Sequence, residues 1–223
     1  MWSLDGFFSW PSRELSGLGK QDDAIAVASL HNQIFVAGTG FPQRDFLVLS
    51  YQARKGFIQW EDRIDKNRES FASAIAASQN RVFVGGIIEG NPRTYILVAY
   101  KAVNGDHLWK KKIDDALFVS GGVLAVSKGR VFVVGATVPE GNPTNWHRFV
   151  QAYDSKSGSL RWSDQDTSSI SFLHTVAIDD QERLFAIGLV RNASGNTDAL
   201  MRVYDAKPEH SREAKGHGTH SAQ

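Results

Sequence analysis

Four copies of one aromatic–aliphatic–glycine unit set the limits on what this chain can fold into. They are Phe35-Val36-Ala37-Gly38, Phe83-Val84-Gly85-Gly86, Phe132-Val133-Val134-Gly135 and Phe185-Ala186-Ile187-Gly188, with their phenylalanines 48, 49 and 53 residues apart. A stretch of small residues precedes each unit, at 24–29, 74–78, 123–127 and 176–179. A β-branched and aromatic stretch follows it and closes on Tyr51, Tyr100, Tyr153 or Tyr204. Gly56, Gly105 and Gly158 come five residues after the first three tyrosines, and Trp60, Trp109 and Trp162 four residues after those glycines. Chance does not build three matching Tyr–Gly–Trp ladders.

Each repeat reads as four short strands. Residues 46–51, 96–100 and 149–153 have the β-branched and aromatic content of strands. Gly40-Phe41-Pro42, Gly90-Asn91-Pro92, Gly141-Asn142-Pro143 and Ser194-Gly195-Asn196 break the chain between them. Lys55-Gly56, Asn104-Gly105 and Ser157-Gly158 supply the positive φ of hairpin turns. No segment carries a sustained 3.6-residue apolar period, so little helix is expected. Four strands per repeat of roughly 40–50 residues predicts an all-β chain of propeller blades. The small first strands suit a crowded central axis, and the three tryptophans fall on outer strands, placed to pack between blades.

The ends carry the next expectation. The last repeat stops after its third strand, at Tyr204, while Gly6 and Trp10 repeat the Gly–Trp spacing without strands before them. Trp10 lies 19 residues before Ser29, as Trp60 lies 18 before Ser78 and Trp109 18 before Ser127. The first expectation is a four-bladed propeller over 1–206, with blades at about 22–62, 70–114, 120–164 and a composite of 172–206 closed by residues 5–12. Closure removes sheet edges. Two alternatives stay open: consecutive blades of a larger propeller, or two chains forming one ring by exchanging terminal strands. Residues 207–223 have only Ala214 and Ala222 as apolar side chains, and are expected to stay a disordered polar tail.

Composition narrows the function. Lysine and arginine number 25 against 24 aspartates and glutamates, a net charge of +1, which argues against a nucleic-acid surface. No apolar run approaches the ~20 residues of a membrane helix, so membrane insertion is not expected. The opening residues form no signal peptide, which makes the cytoplasm the default compartment. There is no cysteine, hence no disulfide, cysteine-ligated metal or thiol nucleophile.

The string Tyr153-Asp154-Ser155-Lys156-Ser157-Gly158-Ser159-Leu160-Arg161-Trp162 resembles the repeat of the PQQ-like, or quinoprotein alcohol dehydrogenase-like, β-propellers. Ser73-Ala74-Ile75-Ala76-Ala77-Ser78 with Arg81-Val82-Phe83-Val84-Gly85-Gly86 is similar to the same repeats. The resemblance covers roughly residues 5–206 and implies the propeller fold. Quinone-dependent members hold their cofactor in an eight-bladed ring with a calcium and a catalytic Asp, often beside a vicinal disulfide. This chain has half those blades and no cysteine, and offers no acidic set at repeat-matched positions to carry over. Asp154 and Asp205 keep the family's Asp after the strand-end tyrosine, which mainly shapes the hairpin; Gln52 and Lys101 replace it elsewhere.

Other chemistry is sparse. The acidic pairs Asp22-Asp23, Asp114-Asp115 and Asp179-Asp180 do not share a repeat position and read as solvated loops. His31, His107, His147 and His174 are scattered, and His210, His217 and His220 fall in the tail, so no metal site is expected. Lys110-Lys111-Lys112 reads as a charged outer strand that discourages strand addition. No nucleophile-elbow, zincin, P-loop or dinucleotide-binding motif is present. The expected role is a non-catalytic interaction or scaffold domain, without catalytic residues or cofactor, that binds a protein or small ligand on one loop face. Loops 39–45, 89–95, 139–146 and 191–198 share that face, and Arg44, Arg93, Trp146 and Arg191 are the side chains suited to anchor a partner. The alternatives are a PQQ-dependent dehydrogenase or a fragment of one, and a structural blade array of a larger surface protein. A monomer or a strand-exchanged dimer is expected.

Overall fold

The computed structural model describes residues 22–64, 68–90, 93–113, 117–118, 123–138, 142 and 144–205. The first sheet is β1 (Asp23–Leu30), β2 (Gln33–Gly40), β3 (Asp45–Gln52) and β4 (Ile58–Ile64). The second is β5 (Ser70–Ser78), β6 (Arg81–Ile88), β7 (Thr94–Lys101) and β8 (His107–Ile113). The third is β10 (Val123–Ser127), β11 (Arg130–Val138), β12 (His147–Asp154) and β13 (Leu160–Gln165), with the two-residue β9 (Leu117–Phe118) also pairing β11. The fourth is β14 (Ser171–Ile178), β15 (Arg183–Arg191) and β16 (Thr197–Asp205). Every pairing is antiparallel and, β9 with β11 aside, joins strands consecutive in the chain, so each sheet is one blade of an all-β propeller. Helix is absent among the described residues, as expected.

Two inner strands begin earlier than the sequence pattern indicates, β5 at Ser70 rather than residue 74 and β14 at Ser171 rather than residue 176. The cause is a bulge between Ala72 and Ala74, and another between Leu173 and Thr175. A bulge shifts the side-chain alternation by one residue, so the stretch before it reads out of phase with the stretch after it. The hairpin glycines behave as expected: Gly56, Gly105 and Gly158 have φ of 67, 76 and 68°.

The core lies between the blades. Phe35, Phe46, Val48 and Trp60 of blade 1 meet Val82, Val84, Ile96, Val98 and Tyr100 of blade 2. The other face of blade 2, with Phe83, Tyr95 and Leu97, meets Leu124, Val131 and Val133 of blade 3. Phe132, Val134 and Val150 then meet Leu173, Leu184 and Ala186 of blade 4. A blade with neighbours on both sides buries both faces, which is why Tyr95–Tyr100 is a continuous apolar run rather than an alternating one. The inner strands follow one another, β1 beside β5, β5 beside β10 and β10 beside β14, while no strands of the first and last sheets pack to a comparable extent. The closing strand expected at residues 5–12 and the polar tail lie outside the described residues.

Candidate functional site

The β2–β3, β6–β7, β11–β12 and β15–β16 connections leave the same end of successive sheets. Two of these loops are tied to the following blade by the same bond. The Ser70 N–H donates to the Arg44 carbonyl, and the Ser171 N–H to the Trp146 carbonyl, each at 2.7 Å. Ser70 also accepts the Phe46 N–H at 2.9 Å and donates its hydroxyl to the Ile64 carbonyl at 3.1 Å. The β2–β3 and β11–β12 loops are therefore fixed at their roots by inter-blade hydrogen bonds.

Each anchor expected from the sequence lies at this end, and each has a local contact. Arg44, its side chain 52% exposed, has Nη1 3.4 Å from Glu69 Oε2 across the first seam. Arg93 reaches Glu89 with two nitrogens, at 2.9 and 2.8 Å. Trp146 packs on Phe172 of the next blade, with ring centroids 5.6 Å apart. Arg191 is the last residue of β15 and its Nε–H donates to the Gly195 carbonyl at 3.3 Å. The structure brings Arg44 and Trp146 to equivalent places on their blades, each tied through its carbonyl to the following blade.

Beneath the face lie ion pairs that the sequence reading passed over. Asp45, at the start of β3, takes Arg63 Nη1 at 2.9 Å. Arg148, its side chain only 3% exposed, holds Asp164 at 3.0 Å and Asp166 at 3.2 Å. Asp166 also accepts the Ser168 N–H at 2.9 Å, the Ser168 hydroxyl at 2.6 Å and the Ser169 hydroxyl at 3.1 Å, which shapes the connection into blade 4. Burial alone would raise its pKa, but these donated bonds and Arg148 outweigh burial and hold it at about 2. Asp164 further accepts the Tyr204 hydroxyl from blade 4.

Asp62 does the same two seams earlier, accepting the Tyr100 hydroxyl at 2.9 Å with His107 Nε2 at 2.8 Å. Burial first, and the Asp62 charge second, push the Tyr100 hydroxyl far above its ordinary pKa, so it stays a donor. A sequence signal existed: Asp62 and Asp164 each stand two residues after the blade tryptophan, where blade 2 has Lys111.

Acid should expose the Asp166 linkage. A carboxylate whose folded pKa is depressed stabilises the fold above its unfolded value, here 3.8, and that stabilisation is lost as pH falls toward about 2. On the order of 2 kcal/mol is expected to disappear over that window. Thermal unfolding from pH 5 to 2 checks this: Asp166→Asn should flatten the profile, and a profile unchanged by the substitution counts against it.

The remaining titratable groups do structural work. Asp154 accepts the Lys156 and Ser157 N–H groups at 3.0 and 2.8 Å and takes Arg161 at 2.6 Å, the hairpin role expected of it. The Arg161 hydrogen bond, then the Ser157 N–H, hold it well below the usual carboxylate range. Asp22 accepts the Phe41 N–H at 2.8 Å, and Asp179 caps its turn with the Arg183 N–H at 2.7 Å. His31 bonds Asn80 at 3.2 Å, and His174 packs beside Phe172. Among the described residues no group of three His, Asp or Glu could hold a metal ion. Asp114-Asp115 and the three tail histidines lie outside them.

The comparisons with known proteins fit this architecture. A PQQ-repeat family model, described as outer membrane protein assembly factor BamB, matches residues 44–191. Among solved structures, a europium-containing methanol dehydrogenase superposes with a TM-score of 0.54 at 13% identity, covering 83% of this chain and 40% of that one. BamB from Moraxella catarrhalis gives 0.47 at 13% identity, covering 78% and 50%. The chain thus spans two-fifths to half the length of these two proteins. No curated protein matches. With its blade repeats and this match over two-thirds of its length, the chain belongs to the PQQ-like β-propeller repeat family.

Proposed function

We propose that the chain is a non-catalytic scaffold whose loop face, carrying Arg44, Arg93, Trp146 and Arg191, binds a protein or small ligand. The observation behind this reading is the pair of equivalent 2.7 Å bonds that fix the Arg44 and Trp146 backbones to the following blades. Fixed loops present side chains at little ordering cost, and arginine and tryptophan are the residue types that dominate binding surfaces. The two arginine–glutamate pairs are partly solvent-exposed, where such pairs are worth about 1 kcal/mol or less, so a partner carboxylate can replace the glutamates.

The experiment compares two double variants by quantitative co-purification from the native cell. Arg44→Glu/Arg191→Glu reverses charge on the loop face, and Lys110→Glu/Lys112→Glu reverses it on the outer strand β8. The expected result is a partner lost at least tenfold from the first and retained by the second. Equal retention by both removes the loop face from the binding surface. Oxidation of an alcohol on addition of pyrroloquinoline quinone and calcium overturns the non-catalytic reading in favour of a dehydrogenase.

A further inference from the structure

The β3–β4, β7–β8 and β12–β13 hairpins leave the end of the blades opposite the loop face. One backbone bond, repeated in three blades, fixes them there. The Ala53 N–H donates to the Asn32 carbonyl, the Ala102 N–H to the Asn80 carbonyl and the Ser155 N–H to the Gly129 carbonyl, each at 2.9 Å. Each hairpin is thus tied to the turn between the first two strands of its own blade. The residue after each tied one, Arg54, Val103 or Lys156, is exposed.

These tips carry apolar side chains. Phe57 is 57% exposed and Val103 72%, with Ile58 and Leu160 exposed as well. Four of the nine large apolar side chains exposed among the described residues therefore stand on three hairpins at one end. Single exposed apolar residues are ordinary, whereas a gathering at one end marks an interaction surface.

The same tips carry uncompensated positive charge. Arg54 and Lys55 adjoin Phe57 and Ile58 on the first tip, and Lys156 stands four residues before Leu160 on the third. All three cations are exposed, and among the described residues no carboxylate pairs with them. The carboxylates of the tips are already engaged, Asp106 with Lys101 at 2.9 Å and Asp154 with Arg161 at 2.6 Å. The whole chain is nearly neutral at +1, so a local excess sets this end apart.

Free cations beside apolar tips fit a surface with phosphate outside and hydrocarbon just beneath it. Each lysine or arginine held at an anionic bilayer strengthens binding roughly fivefold. Apolar side chains add to this by entering the boundary between headgroups and chains. The tips stand on three blades and present unlike residues. A protein partner would need a shape matched to all three, whereas a fluid bilayer adapts to each. We propose that the three hairpin tips dock the protein on an anionic lipid bilayer, with Phe57, Ile58, Val103 and Leu160 entering the headgroup region and Arg54, Lys55 and Lys156 on the lipid phosphates. The contact is peripheral, made by the side chains of short turns. It leaves the loop face at the other end open, so either reading stands without the other.

Co-sedimentation of the full chain with vesicles tests this. The chain should sediment with vesicles of mixed phosphatidylglycerol and phosphatidylcholine at low salt, less at high salt, and not with phosphatidylcholine alone. Lys55→Glu/Lys156→Glu should weaken binding at least about tenfold, and Phe57→Ser/Leu160→Ser should weaken it about as much while keeping the salt dependence. Lys110→Glu/Lys112→Glu makes the same charge change on the outer strand β8 and should bind within about twofold of the wild type. All the substituted side chains are exposed, so the fold is expected to survive each change. Equal binding to both kinds of vesicle, no binding at low salt, or an unaffected Lys55→Glu/Lys156→Glu variant overturns the proposal. An equal loss in the β8 variant overturns it too, since net charge and not the tips would then set binding. So does release from the vesicles by soluble glycerophosphate at the lipid's own concentration, the mark of a free-phosphate site. Tighter binding of the same residues to polyglutamate than to the vesicles would make the occupant an acidic protein and overturns it as well.

Discussion

Replacing Trp60 by Ala should lower the stability of the whole array by about 3–5 kcal/mol, the range for removing a buried tryptophan. The ring is 8% exposed and sits between Phe35 of its own blade, at 5.8 Å, and Tyr100 of the next. Its loss also removes one of the two hydrogen bonds to the buried Ala102 carbonyl, which Gln33 Nε2 still donates to at 2.9 Å. Blades touch only their neighbours, so stability is a sum of blade and seam contributions, and a failed seam uncouples everything beyond it. Trp60→Phe is the informative partner substitution. It keeps a ring in the seam and forfeits the hydrogen bond, so about 1 kcal/mol from the bond should be lost, plus the volume difference. Urea unfolding of both variants separates the two contributions. A Trp60→Ala change below about 1 kcal/mol would remove the seams from their place as the core.

The blade plan was legible because recurrence multiplies weak signals. One Tyr–Gly–Trp ladder says little, but three at matching spacing fix the hairpins at Gly56, Gly105 and Gly158 and the inter-blade place of the tryptophans. What escaped was whatever breaks the repeat. The bulges in β1, β5 and β14 shift the alternation that strand reading depends on. The tyrosine–aspartate ties at Asp62 and Asp164 recur, but Lys111 interrupts the series in blade 2. Among the described residues, the pairing of Arg148 with Asp164 and Asp166 occurs in blade 3 only, so the repeat could not announce it. The loop face was legible as a location, since its loops share one repeat position. The pairing of Arg44 with Glu69 and of Arg93 with Glu89 was not, because pairing depends on how close the turns bring side chains whose spacing follows no common rule.

The recurring glycine of the aromatic–aliphatic–glycine unit carries the second large effect. Gly86 lies opposite Ala72, where the β5 bulge begins, as Gly38 lies opposite Ala24 and Gly188 opposite Leu173 at the other bulges. The bulge pushes the inner strand's backbone over the glycine. A Cβ on Gly86 would press into the Phe71 carbonyl oxygen on one side and the Phe46 ring of blade 1 on the other. The carbonyl belongs to a paired strand and the ring is fully buried, so neither gives way cheaply. Gly86→Ala is therefore expected to cost about 3 kcal/mol, the upper part of the range for overpacking a core. Gly129→Ala is the control, because Gly129 has φ of +82° but no heavy atom within 4 Å of an added Cβ. Backbone strain alone should make that change cost about 1 kcal/mol. Urea midpoints of the two variants decide the matter. A larger loss for Gly86→Ala means the glycine is held by the bulge and the seam, whereas equal losses would mean that its place in the repeat reflects backbone freedom and not space.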